Sequence, residues 1–147
     1  MPLLATFATI VALAAGTAPQ HVVTIRHAAA GSARVEYRAT PSIRYRQLGA
    51  VAPGGRPSTL RCSWSADLIV DRVATLDAGT MLSRSFVRRG IVDGSRPGWC
   101  GSSRAVIEGE AGKRIGSTDR HVQAAAAADR PVLIAELDRS GPPSPAR

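Results

Sequence analysis

The sequence predicts an α+β domain with one disulfide, in which an N-terminal antiparallel β-sheet (about residues 21–92) precedes C-terminal helices (about residues 103–139). Upstream of Cys100, polar and apolar residues alternate in short segments, which is the period of a strand with one solvated face. Downstream of Cys100, apolar residues recur every four positions and Ala becomes frequent, as in helices. A run of strands followed by a run of helices is typical of α+β domains.

The first strands are short and lie in the most basic third of the chain. Residues 22–25 are a β-branched run, and residues 34–38 and 43–46 alternate polar with apolar side chains. Thr40-Pro41 separates the last two segments, and a proline there predicts a turn or a kink.

The clearest strand covers residues 61–73, and residues 81–92 are its expected partner. Residues 49–58 and 93–98 are rich in Gly and Pro and are therefore predicted to be loops. The alternation within 61–73 predicts a core face of Cys62, Trp64, Ala66, Leu68 and Val70 and a solvated face of Arg61, Ser63, Ser65 and Asp67. Trp64 and Trp99, each beside a cysteine, are both expected in the core.

The first helical segment is indicated by Ile107, Ala111 and Ile115, which share one helical face. Gly109 and Gly112 weaken this segment by about 1 kcal/mol each relative to Ala.

Two further helices are predicted near the C-terminus. Ser117 or Thr118 is a suitable N-cap for a helix through the five alanines at 124–128. Asp129 is a suitable N-cap for a last helix, with Pro131 in its first turn and Leu133 and Leu137 on one face. Residues 132–134 are also compatible with a short buried strand, but the cap and the leucine spacing favour a helix.

The first 18 residues have the character of a secretory signal peptide, whose cleavage leaves one domain at residues 19–139 and a disordered tail at 140–147. They are apolar, uncharged and end in small residues. Cleavage after Ala18 leaves Pro19 beside the cut, and residues 12–14 (Ala-Leu-Ala) offer a second site. A retained anchor is the alternative, but residues 3–15 are shorter than the roughly 17 to 25 residues that span a bilayer. We therefore expect a periplasmic or secreted protein that is not an integral membrane protein.

Cys62 and Cys100 are the only two cysteines. In an oxidising compartment they are expected to form a disulfide, which in the chain-entropy model contributes about 4 kcal/mol. Two free thiols are the alternative. Neither cysteine has a second cysteine nearby, so the sequence contains no C-x-x-C redox motif and no cysteine-based zinc site.

The formal net charge of +8 is unevenly distributed. Residues 21–61 contain seven Arg and one Glu, whereas residues 105–147 are balanced. The candidate binding residues are Arg34, Arg38, Arg44 and Arg46, which the alternation places on one solvated face. Tyr37 and Tyr45 point the other way, and nucleic-acid binding is therefore unlikely, because such surfaces place aromatic rings beside the cations. Eighteen of the nineteen basic residues are Arg, so the charge also reflects GC-rich codon usage.

No catalytic residue, metal ligand or cofactor is predicted. A strand through His21 and His27 puts them about 20 Å apart, too far to share a metal. Asp67 and Asp71 are expected on the solvent face about 13 Å apart, beyond the separation of paired-carboxylate glycosidases. The sequence also lacks a G-x-S-x-G motif.

These observations predict an exported bacterial protein that acts as a non-enzymatic binding or envelope-associated accessory module. Its arginine-bearing face would contact an anionic envelope component or another exported protein. Two alternatives remain: a small periplasmic hydrolase whose site is assembled only by the fold, and an inhibitor or chaperone-like partner of one exported protein.

Overall fold

Four antiparallel strands followed by two helices form the protein in the computed structural model, which describes residues 20–54, 56 and 58–141. The strands are β1 (His21–His27), β2 (Gly31–Leu48), β3 (Arg61–Leu76) and β4 (Met81–Pro97), and the helices are α1 (Cys100–Ile115) and α2 (Thr118–Ser140). The predicted α+β fold with an N-terminal sheet is confirmed. The predicted signal peptide lies outside the described residues.

The sheet is a simple meander in the order β1-β2-β3-β4, so each strand pairs with the next one along the chain. Both helices pack on one side, here called the helix face, and the other side is called the open face. On the helix face, α2 covers β1 to β3 around Val35, Val70 and Leu133, and α1 covers Cys62 and Trp64. The predicted core face of β3 is therefore correct.

Pro41 does not produce the expected turn, because β2 runs through it without a break from Gly31 to Leu48. The reason is its position in the sheet. On the side of β2 away from β3, β1 pairs only with residues 31–37, so Pro41 lies beyond the end of that partner. Its missing N–H removes no ladder bond there, which is the condition under which a strand tolerates proline.

The predicted loop at residues 93–98 is also largely wrong, because β4 remains paired with β3 as far as Pro97. Gly94 allows this pairing. A Cβ atom at that position would lie 2.6 Å from the Trp64 ring, so the indole occupies the space that any other residue would need.

The C-terminal region forms one helix where two were expected. Ser117 is the N-cap, and its side chain accepts a hydrogen bond from the Asp119 N–H. The helix then continues through Pro131 to Ser140, so Asp129 is an interior residue and not a cap. Its carboxylate is directed into the sheet, as described below. Leu133 and Leu137 are both buried, as expected, and Ser140 belongs to α2 although the prediction assigned it to the tail.

Trp99 was expected in the core but is 56 % exposed. It precedes the first residue of α1, where its backbone is extended. Only Trp64, on the helix face of β3, has the predicted buried environment.

Candidate functional site

The four predicted arginines lie on the open face, at alternate positions along β2. Arg34 Nε donates to Glu36 at 3.0 Å, and Arg38 lies 3.9 Å from the same carboxylate. Glu36 therefore neutralises part of the charge at this end of the strand. The two arginine side chains are exposed and that of Glu36 is partly buried, and contacts of this kind near the surface contribute at most about 1 kcal/mol each.

Arg44 is held more firmly, by a two-point contact with Asp67. Its Nε and Nη2 donate to the two carboxylate oxygens of Asp67 at 2.6 and 3.1 Å. The Gly90 N–H donates to Asp67 at 2.9 Å from a β4 irregularity opposite residues 66–68, where Gly90 has a φ of 62° that favours glycine. The Asp67 side chain is only 5 % exposed, which corrects the expectation that it is solvated. The hydrogen bonds from Arg44 and Gly90 lower its pKa.

Arg46 is exposed and forms no ion pair within the described residues. Together with Arg44, Ser63 and Ser65 it lines a shallow depression of about 550 Å³ on the sheet. Arg61 is paired with Leu48, so by register it lies diagonally from Arg46 on the same face. The end of the open face that contains Arg46 therefore presents two exposed arginines that form no ion pair within the described residues.

The helix face contains a buried ionic cluster that the sequence analysis did not predict, here called the Asp129 cluster. Tyr37, Arg72 and Arg84 are consecutive partners across β2, β3 and β4. All three donate to Asp129 of α2, Tyr37 at 3.2 Å, Arg72 at 3.1 Å and Arg84 at 2.6 Å. Arg72, whose side chain is 0 % exposed, also pairs with Glu136, which lies about two turns beyond Asp129 in α2.

The charges in the Asp129 cluster balance, with two guanidinium groups facing two carboxylates. Burial and the adjacent Asp129 carboxylate raise the pKa of Tyr37 to about 12, so the phenol remains a neutral donor. Both oxygens of Asp129 accept from an arginine, and the side chain is only 1 % exposed, so the carboxylate is not accessible to a substrate. The arrangement is suited to orienting α2 on the sheet rather than to acid–base chemistry.

A small cavity of about 200 Å³ lies beside this cluster, between β1 and α2. It is lined by Tyr37 and by His21, whose ring lies 6.1 Å from that of Tyr37, and otherwise mainly by apolar side chains such as Val23 and Ala126. A cavity of this size is below the range of typical small-molecule sites.

The three histidines are engaged separately. His27 Nε2 lies 2.9 Å from Asp138 while its Nδ1 accepts from the Ala30 N–H, and His121 contacts the Ile115 carbonyl at 3.2 Å. In the described part of the chain, no group of three or more His, Cys, Asp or Glu side chains is placed to hold a metal ion.

The predicted disulfide between Cys62 and Cys100 is confirmed. It joins the second residue of β3 to the first residue of α1, with the two Cα atoms 4.8 Å apart. Cys62 is fully buried, and the bridge therefore fixes the start of α1 over the Trp64 region of the helix face.

Neither α1 nor α2 combines the length and apolar character of a membrane-spanning helix. Comparison of the chain with protein-family models, curated proteins and solved structures found no match. The class of protein is therefore defined by its own architecture: a disulfide-linked α+β domain with helices on one side of a meander sheet and an arginine-bearing open face on the other.

Proposed function

We propose that this chain is an exported, non-enzymatic binding or envelope-associated accessory module. Its contact surface is the open face, through which it binds an anionic envelope component or another exported protein. The observation that supports this proposal is the alignment of Arg34, Arg38, Arg44 and Arg46 on a sheet face opposite both helices.

At one end of this face, two arginines that form no ion pair among the described residues lie next to each other. By register, the open face contains Arg26, Arg34, Arg38, Arg44, Arg46 and Arg61 against Glu36, Asp67, Asp71 and Asp93. Glu36 neutralises the Arg34 end, whereas at the other end Arg46 and Arg61 are diagonal neighbours. Two exposed guanidinium groups at that spacing suit a phosphate or carboxylate, because each offers a planar pair of N–H donors.

The contact between Arg44 and Asp67 supports the same reading. The Gly90 N–H fixes the Asp67 carboxylate, and the carboxylate holds the Arg44 side chain beside Arg46. This restraint reduces the conformational freedom that Arg44 loses on binding. A hydrolase has less support, since the most buried carboxylate, Asp129, is already engaged by three donors.

The open face can be tested by changing Arg46 and Arg61 together to Ser. The matched control changes Arg120 and Arg139, which are exposed on α2, so both proteins lose the same charge. Capture of partners from an envelope fraction is measured across a salt series with tagged protein recovered from cells that express the full chain. We expect the open-face variant to lose most of the capture seen with the control.

The salt series separates the two kinds of partner. Loss of all captured material by about half-molar salt indicates a polyanion, because exposed charges are then screened within a few ångströms. One protein retained in stoichiometric amount indicates an accessory subunit. Equal capture by the open-face variant and the control would refute the proposal.

Export is tested independently by mass spectrometry of the N-terminus of the protein recovered outside the cytoplasm. We expect the chain to begin at Pro19, or at Ala15 if the second site is used. Recovery of the protein only from the cytoplasm with residues 1–18 attached would contradict export.

A further inference from the structure

Residues 39–48 of β2 form a sheet edge without a neighbouring strand among the described residues. β1 pairs with residues 31–37 and stops, while β2 remains paired with β3 on its other side up to Leu48. Strand edges of this kind present unpaired N–H and C=O groups to which another extended chain can bond.

Gln20 already forms two hydrogen bonds with the start of this edge. Its backbone N–H donates to the Tyr37 carbonyl at 3.0 Å, and its side-chain oxygen accepts from the Ala39 N–H at 2.7 Å. The side chain thus occupies the place of a carbonyl on a longer β1. Because alternate residues of an antiparallel strand bond on the same side, Ile43 and Tyr45 direct their N–H groups to this edge as well.

The two sides of the edge differ in chemistry. On the open face lie Arg44 and the exposed Arg46. On the helix face, a groove of about 360 Å³ runs between the edge and α1; its lining is mainly apolar, with Pro41, Ile43, Ala111 and Ile115, and also includes Glu108. Successive side chains of a strand point to opposite faces. A strand added here therefore places one set of side chains beside arginines and the other set in an apolar groove.

We propose that this edge binds, as an added strand, an extended segment of a partner protein in which acidic and apolar residues alternate. The proposal rests on the proposed function and names the chemistry of the partner. Acidic side chains would pair with Arg44 and Arg46, and apolar side chains would contact Ile43 and Ile115.

Other occupants fit less well. Pairing with a second copy brings two arginine-bearing edges together on one face, which like-charge repulsion disfavours. Residues 1–19 of this chain contain no acidic residue and so do not supply the alternation. Pro41 removes one donor from the edge, a feature by which natural sheets avoid pairing with themselves.

The probe is a labelled peptide, acetyl-Glu-Val-Glu-Val-Glu-Val-Glu-amide. One control peptide has the same sequence with alternate backbone amides N-methylated, and a second has the same composition with its glutamates in one block. Binding is measured by fluorescence anisotropy, and amide hydrogen exchange is measured at Ile43 and Tyr45. We expect the alternating peptide to bind at least tenfold more tightly than either control and to slow exchange at both amides.

Protein variants locate the contact. Arg46→Ser is expected to weaken peptide binding at least threefold, whereas the exposed α2 control Arg139→Ser is expected to leave it unchanged. Equal binding of the N-methylated peptide would overturn the inference, since the backbone bonds would then contribute nothing. Slow exchange at Ile43 and Tyr45 before peptide is added would also overturn it, because the edge would already be occupied.

Failure of this inference is distinguishable from failure of the proposed function. If the peptide does not bind while envelope capture still depends on Arg46 and Arg61, only the edge proposal is wrong. If those arginines affect neither peptide binding nor capture, both proposals are wrong.

Discussion

Asp129→Asn is expected to be among the most destabilising single substitutions in the domain. The change keeps the size of the side chain and removes its charge. Arg72, whose side chain is 0 % exposed, then retains only Glu136 as a counter-ion, and Tyr37 loses the charged acceptor of its hydrogen bond. Removing one partner of a buried ion pair costs about 3–5 kcal/mol, and here the guanidinium groups of Arg72 and Arg84 are left with one carboxylate between them.

This cost is large relative to the total stability. A domain of roughly 120 residues has an unfolding free energy of about 6–18 kcal/mol at about 0.05–0.15 kcal/mol per residue. At about 3–4 °C per kcal/mol for this size, the melting temperature should fall by about 10–20 °C. Asp129→Asn should therefore remain folded at room temperature, so that its stability can be measured.

The assay is urea unfolding followed by circular dichroism, with Asp93→Asn as the control. Asp93 is exposed and its side chain has no hydrogen-bond partner within the described residues, so its substitution should shift the stability by no more than about 0.5 kcal/mol. The joint change of Arg72→Met and Asp129→Leu removes both buried charges and should cost much less than Asp129→Asn alone. If Asp129→Asn lies within 1 kcal/mol of the unchanged protein, the reasoning about the cluster is wrong.

Three further perturbations test other parts of the structure. Burial and Asp129 raise the pKa of Tyr37 to about 12, so the stability that its neutral form contributes is complete below pH 10 and is lost as the pH rises through 12. The free energy of unfolding, measured from pH 9 to 12, should therefore fall less steeply with pH in Tyr37→Phe than in the unchanged protein. Reduction of the bridge between Cys62 and Cys100 should lower the unfolding free energy by about 4 kcal/mol, and thiol titration of the unreduced, denatured protein should detect no free thiol. Gly94→Ala should destabilise the domain by about 1–3 kcal/mol because its Cβ meets Trp64. Gly109→Ala, whose Cβ meets nothing within 4 Å, should stabilise α1 by about 1 kcal/mol. Denaturation curves recorded in parallel should show changes of opposite sign in the free energy of unfolding.

The fold was predictable because its main signals are local. Alternation in β3 identified the correct core face, and the cysteines identified the bridge. The errors at Pro41 and Gly94 have a common cause: each residue disfavours a strand by itself, and each is tolerated because of its place in the sheet. Pro41 lies on an edge that β1 does not reach, and Gly94 makes space for Trp64. Neither circumstance is visible before the strands are aligned.

The Asp129 cluster could have been partly predicted. Arg72 occupies the core side of the β3 alternation, and Asp129 precedes Leu133 and Leu137 at helical spacing on the same face. A cation and an anion on two apolar faces indicate a buried pair. The capping propensity of Asp and the proline at 131 favoured two helices instead, because a propensity describes the local chain and the partner of Asp129 lies 57 residues away. The alignment of the four arginines followed from alternation alone. The two-point contact between Arg44 and Asp67 did not, because the Gly90 N–H that also binds Asp67 comes from an irregularity in β4.

The meander determines the order in which the domain can be completed during synthesis. Each strand bonds to the one made just before it, so the hairpins can form as the chain emerges. The partners of Tyr37 and His27 on α2 are 92 and 111 residues downstream. The part of the helix face that α2 covers therefore stays open until that helix has been made, although α1 already covers the Trp64 region. A nascent chain that ends before α2 exposes Arg72 without its counter-ions Asp129 and Glu136. Such a chain remains accessible to chaperones and proteases until α2 (Thr118–Ser140) has been made and has packed on the sheet.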